Sequence, residues 1–115
     1  MTPDKRWPSD WVRAVLPTCI LQAVAGSGEA YGYQIIQALK AAGFDGLSGG
    51  TLYPALNRLE TDGFVSSEWR QGDAGPGKKF YSLTPKGRQR LEESARDWNR
   101  FSALIKDLLE EKKAH

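Results

Sequence analysis

The sequence predicts a mainly α-helical fold with one small β-hairpin, and three features lead to that class. Apolar stripes at helical spacing recur through the first 63 residues, and glycines punctuate them. Two segments rich in aromatic and β-branched residues, 64–70 and 78–84, flank a glycine-rich stretch at 71–77. A heptad-spaced seam then runs from 91 to 109. Helices, then a hairpin with basic flanks, then one long helix is the order of a winged helix-turn-helix followed by a C-terminal dimerisation helix. The expectation is a single domain over 1–115, with about 10–84 as the winged-helix part and about 85–112 as the dimerisation helix.

The first apolar segment, 11–25, contains Pro17. Proline has no N–H and crowds the preceding turn, so it kinks a helix or opens one. A short helix from about Asp10 is therefore expected, with a second opening near Pro17 and closing at Gly26-Ser27-Gly28. The next helix spans 32–42, with Ile35, Ile36 and Leu39 on one face and Gly43 as its stop. Ser48 reads as the N-cap of a third helix, whose Leu52, Leu56 and Leu59 make one buried stripe and which ends by Gly63. Pro54 offers no N–H to the Gly50 carbonyl, a defect tolerated only near a helix start, so this helix cannot begin much before Ser48.

Residues 64–70 and 78–84 form a two-stranded hairpin in this reading. Thr84 caps the last helix and Pro85 takes its first position. Leu91, Ala95, Trp98, Ser102, Ile105 and Leu109 follow one another at steps of four and three, and Ser102 is the only polar member. Phe101, Leu104 and Leu108 form a second stripe beside them. A helix over 85–112 is roughly 42 Å long at about 1.5 Å per residue. One small domain cannot cover both stripes of such a helix, whereas a second copy of the chain can, so a homodimer is expected.

With 115 residues, 40% hydrophobic and 26% charged, the chain suits one soluble globular unit. No apolar run spans a bilayer, the N-terminus has no signal-peptide core, and a single Cys19 suits a reducing compartment, so a cytoplasmic protein without membrane contact is expected. Cys19, beside Ile20 and Leu21, reads as a packed thiol rather than a redox sensor. Trp7 and Trp11 either cover the dimer seam or sit loosely at the terminus. The only histidine is His115, and neither metal-ligand spacing nor a phosphate-binding glycine motif occurs. An enzyme, a cofactor and a metal are therefore not expected.

Net charge is +2, yet between Arg70 and Arg90 six cations meet Asp73 alone, a local +5 that leaves −3 for the rest. Such a split indicates either an anionic partner or a solvated basic surface. The third helix weighs toward double-stranded DNA. Its outer face carries Gly50, Tyr53, Pro54, Asn57, Arg58 and Thr61. Small residues at its start let the backbone approach a phosphate at the positive end of the helix dipole. Tyr53, Asn57 and Arg58 reach base edges or phosphates, and Glu60 and Asp62 make contact fade toward the C-terminus. Arg70, Lys78 and Lys79 border the wing tip.

Tyr31-Gly32-Tyr33-Gln34-Ile35, then 50–60 with its Thr51-Leu52-Tyr53-Pro54 run, then Lys78-Lys79-Phe80-Tyr81-Ser82-Leu83-Thr84-Pro85-Lys86-Gly87, together resemble the PadR family of transcriptional regulators over roughly 17–90. The single C-terminal helix and its Asp97-Trp98-Asn99-Arg100 stretch resemble the short subfamily that includes multidrug-sensing repressors. The resemblance implies a homodimeric repressor on a palindromic operator, and in some members DNA is released by a phenolic or cationic aromatic compound. The DNA-binding set is then Tyr33, Gly50, Thr51, Tyr53, Pro54, Asn57, Arg58, Arg70, Lys78 and Lys79. The dimer interface is Leu91, Ala95, Trp98, Phe101, Ile105, Leu108 and Leu109.

In the drug-sensing subfamily a tryptophan matching Trp98 and its symmetry mate stack flat aromatics at the dimer interface. By that likeness a candidate aromatic effector meets Thr18, Gln22, Leu91, Trp98 and Ser102. Ser102 stands where the drug-binding type has a carboxylate, so neutral aromatics are expected over cations. Pro17 also reshapes the matching pore wall. Trp98 equally reads as a dimer-core residue with no ligand. Two other classes compete with the repressor: a winged-helix module that binds protein, and a small-molecule carrier that uses the pore alone.

Overall fold

The computed structural model describes residues 7–72 and 75–110. Asp73, His115 and the last residues expected in the long helix, 111–112, lie outside them.

The first helix, α1 (Ser9–Ser27), runs unbroken through Pro17, so the expected split into two helices is corrected. Leu16, Ile20, Leu21 and Val24 stand on both sides of the proline and are all buried on one face. Full burial of four aliphatic side chains contributes about 1.5–3 kcal/mol each, which outweighs about 3 kcal/mol for a proline inside a helix. Packing therefore decides, and the carbonyl of Arg13 is left without its helical partner. Cys19 packs on the edge of this core, half-buried, and burial raises its thiol above the ordinary range.

A two-residue strand, β1 (Ala30–Tyr31), leads directly into α2 (Gly32–Ala42), and the Tyr31 amide is held by Gln34 Oε1 at 3.1 Å. Ile35 and Leu39 are buried and Gly43 ends the helix, as expected. The turn to α3 (Gly49–Thr61) buries Leu47. Ser48 does occupy the N-cap position of α3, and its carbonyl accepts the Thr51 and Leu52 amides. Its hydroxyl, however, faces Thr51 Oγ1 at 3.4 Å rather than a backbone amide. Leu52, Leu56 and Leu59 form the buried stripe.

Strands β2 (Val65–Arg70) and β3 (Lys78–Leu83) pair antiparallel, from Val65 opposite Leu83 out to Arg70 opposite Lys78. The sheet has three strands rather than two, in the order β1-β3-β2, because Ala30 and Tyr31 pair with Tyr81 and Phe80. The last helix, α4 (Pro85–Glu110), starts where expected: Thr84 Oγ1 accepts the Gly87 amide at 2.9 Å and donates to the Gly63 carbonyl at 2.6 Å. Gly87 is buried against Phe64, where a Cβ would come within 2.8 Å of the Phe64 carbonyl carbon, so no side chain fits there. Beyond Trp98 every described residue of α4 is exposed, and the helix projects away from the rest.

Candidate nucleic-acid interface

The buried stripe of α3 determines what the helix presents outward. Directly opposite Leu52, Leu56 and Leu59 lie Gly50, Pro54, Asn57 and Thr61, all exposed. Tyr53 and Arg58 stand on the two shoulders of that face rather than at its centre. The Tyr53 ring lies over the start of α2, where a Cβ on Gly32 would come within 2.6 Å of Tyr53 Cζ. Gly32 thereby lets Tyr53 hold α2 against α3, a structural role that sequence reading did not assign to either residue. Arg58 lines the cleft toward α1 and α4, as do Gly50, Thr51 and Pro54. Tyr33, in the first turn of α2, is 61% exposed, and Thr51 is exposed beside Ser48.

The basic window of the sequence does not form one patch. Lys86 and Arg90 sit on the Phe64 ring, and Lys86 donates to the Asp62 carbonyl at 2.8 Å. The wing cations meet acids from elsewhere in the chain. Arg70 is gripped by Glu29 and Glu68, and those hydrogen bonds hold its guanidinium more firmly protonated than usual and hold Glu29 below the usual carboxylate range. Lys79 pairs with Glu60 at 3.1 Å, and Glu60, which also accepts from the Ser67 hydroxyl, is likewise held low, first by that hydroxyl and then by Lys79. Lys78 instead lies 4.4 Å over the Tyr31 ring and has no carboxylate partner among the described residues. The wing is therefore closer to neutral than the sequence window suggested, because Glu29 and Glu60 lie outside that window but beside it in space. Trp69, on the sheet face that also carries Lys79, is 70% exposed.

A cleft of about 680 Å³ opens between α1, α3 and α4. Of the effector residues expected, Thr18 and Trp98 line it, whereas Gln22, Leu91 and Ser102 do not. Leu91 packs on its own chain's core, and the Ser102 hydroxyl donates to the Asn99 carbonyl. Arg13, Arg58 and Arg90 line the cleft against a single acid, Asp62. Of the dimer residues expected, Leu91, Ala95 and Trp98 are half-buried within the chain, while Phe101, Ile105, Leu108 and Leu109 are exposed, as is Leu104. The Trp98 and Phe101 rings meet edge to face at 5.7 Å. Trp7 donates its indole N–H to the Gly43 carbonyl at 3.3 Å, and Trp11 is exposed. Among the described residues no group of side chains is arranged to hold a metal, and no helix is long and apolar enough to cross a membrane.

The pattern of the "Transcriptional regulator PadR-like family" matches residues 20–93, more than half of the chain. The chain is 43% identical over 72 residues to "Transcriptional regulator Rv3488" of Mycobacterium tuberculosis (strain ATCC 25618 / H37Rv), a match that spans 63% of this chain and 65% of that protein's length. Its fold is similar to the crystal structure of a PadR-like transcriptional regulator from Bacillus cereus strain ATCC 14579, with 32% identity and a TM-score of 0.77 over 87% of this chain and 96% of that one. A PadR family transcriptional regulator from Eggerthella lenta DSM 2243 is similar at 30% identity and a TM-score of 0.78, over 89% of this chain and 88% of that one.

Proposed function

The chain belongs to the PadR-like family of transcriptional regulators, and from that premise we propose that it is a homodimeric repressor that grips a palindromic operator through α3 and the wing. DNA-binding regulation rather than catalysis is the work of this family. The observation that carries the reading is the outer face of α3, where Gly50, Pro54, Asn57 and Thr61 stand exposed in a row, Gly50 and Pro54 also bordering the cleft toward α1 and α4. Small residues at the start of that face admit a phosphate to the helix N-terminus, and Asn57 is long enough to read a base edge. Tyr33, Thr51, Tyr53 and Arg58 flank it, with Lys78 as the wing cation readiest for a phosphate.

The dimer rests on α4. Five large apolar side chains, Phe101, Leu104, Ile105, Leu108 and Leu109, are 40–69% exposed on its projecting half, and a second copy of that helix would bury them. Residues of about 10–84 then carry DNA binding and those of about 85–112 dimerisation, in a protein acting on DNA in the cytoplasm. Two α3 helices related by a two-fold axis read half-sites about one helical turn, roughly 34 Å, apart.

An aromatic effector would enter the cleft at Thr18 and Trp98, with Gln22 of α1 and Leu91 and Ser102 of α4 as the further contacts the family resemblance implies. Three arginines against Asp62 favour neutral or anionic aromatics over cations. The near-neutral wing favours one rival, a winged-helix module that binds protein. Selection of bound fragments from the source genome, followed by footprinting across a salt series, separates the two. An inverted repeat with salt-sensitive protection is expected, because phosphate contacts release counterions. Absence of any enriched fragment would remove the DNA reading, and a lone half-site would remove the dimer.

A further inference from the structure

Arg70 is held by partners from distant parts of the chain. Its Nη1 donates to Glu29 Oε2 and its Nη2 to Glu29 Oε1 at 2.9 Å, and Nη2 also reaches Glu68 Oε1 at 3.2 Å. The guanidinium lies 4.7 Å over the Phe80 ring. Glu29 directly precedes β1, Phe80 lies on the central β3, and Arg70 ends β2 at the wing tip, so one side chain spans the sheet. Two carboxylates face one guanidinium, a trio of net charge −1 when all three are ionised, with Lys78 across from Arg70 on β3. All three side chains are 41–68% exposed, so these pairs exchange readily with other ions.

A phosphate offers a guanidinium the same pair of oxygens that a carboxylate does. We propose that Glu29 acts as an internal phosphate mimic, occupying Arg70 in the free protein so that the wing contacts DNA only by displacing it. The proposal rests on the DNA-binding reading above. Glu29 then sets how strongly, and with what salt dependence, the wing holds any duplex. Glu68 shares the task from two residues earlier on β2, where it stands opposite Phe80. The competing role for the same contacts is a strap that stiffens the wing, and it makes the opposite prediction.

The test measures affinity for a labelled duplex of random sequence across a salt series, with the full chain as wild type, Glu29→Gln, Arg70→Ala and the double variant, each verified as folded by circular dichroism. Freeing one phosphate contact steepens the slope of log K against log salt by about 0.9, so Glu29→Gln should bind roughly three- to tenfold tighter at low salt. In the Arg70→Ala background the gain should fall below about twofold, because the cation it releases is gone. Glu68→Gln should show a smaller gain of the same sign, which keeps the test open if Glu29→Gln melts early. Equal or weaker binding by folded Glu29→Gln would overturn the proposal in favour of the strap. A gain that persists in full without Arg70 would reduce it to bulk charge. A wild type with no salt-dependent duplex binding would overturn the DNA reading itself, and this proposal with it.

Discussion

Replacing Gly87 with alanine adds one methyl group where the first turn of α4 crosses the chain at Phe64. The new Cβ would stand 2.8 Å from the Phe64 carbonyl carbon and 3.2 Å from its Cα. Normal carbon–carbon contact is about 3.5–4.0 Å, and the Phe64 carbonyl oxygen lies closer still to the added Cβ, so α4 must retreat by more than about an ångström. The Phe64 carbonyl also accepts the Thr84 amide at 3.1 Å, and Thr84 Oγ1 ties the Gly87 amide to the Gly63 carbonyl. Retreat therefore strains three hydrogen bonds at once. Overpacking of this kind costs about 1–3 kcal/mol and a lost hydrogen bond about 1 kcal/mol, offset by up to about 1 kcal/mol of helix propensity gained by alanine. The expected loss is about 2–3 kcal/mol, or roughly 10–15 °C in Tm. Urea unfolding followed by circular dichroism, at one fixed protomer concentration, measures it. Gly26→Ala is the companion: nothing lies within 4 Å of its new Cβ in α1, so a gain of about 0.5–1 kcal/mol is expected. A Gly87→Ala chain within about 0.5 kcal/mol of wild type, or a Gly26→Ala chain that falls equally far, would refute the steric argument.

Ile105→Asp with Leu109→Asp places charges in the exposed apolar half of α4, and sedimentation should find a monomer or an unfolded chain; a folded dimer would refute the assignment. Lys78→Ala should weaken binding to every duplex and reduce the salt slope by about 1, with a smaller effect from Lys79→Ala because Glu60 already engages that lysine. Asn57→Ala should instead narrow the gap between operator and random duplex by about 1–3 kcal/mol, so identical behaviour of the Asn57 and Lys78 variants would contradict the division of roles. Neutral planar aromatics should quench tryptophan fluorescence in wild type and not in Trp98→Ala; retained quenching would move the site to Trp7, Trp11 or Trp69. Burial raises the Cys19 thiol, so its alkylation should be slower than that of free cysteine at neutral pH and rise only above the ordinary thiol range. A rate equal to free cysteine would show the thiol is not packed.

What the sequence determined by itself is what depends on neighbours a few residues away. Helical period marked the Leu52, Leu56, Leu59 stripe, Thr84-Pro85 marked the start of α4, and a glycine-rich run between aromatic segments marked the hairpin. Each is a local rule of hydrogen bonding or side-chain spacing, legible without knowing where the rest of the chain goes. Pro17 misled because its local penalty is real, but the burial that overrides it belongs to a core assembled from five other elements. Strand β1 was invisible because two residues carry no periodicity, and its reason for existing is the open edge of β3, some fifty residues later. The charge of the wing was the deepest difference. A window along the chain counted six cations and one acid, yet Glu29 and Glu60 reach the wing only through the fold. Coulomb's law acts on distance in space, so the electrostatics of the candidate DNA-binding surface belonged to the tertiary structure and not to the order of residues.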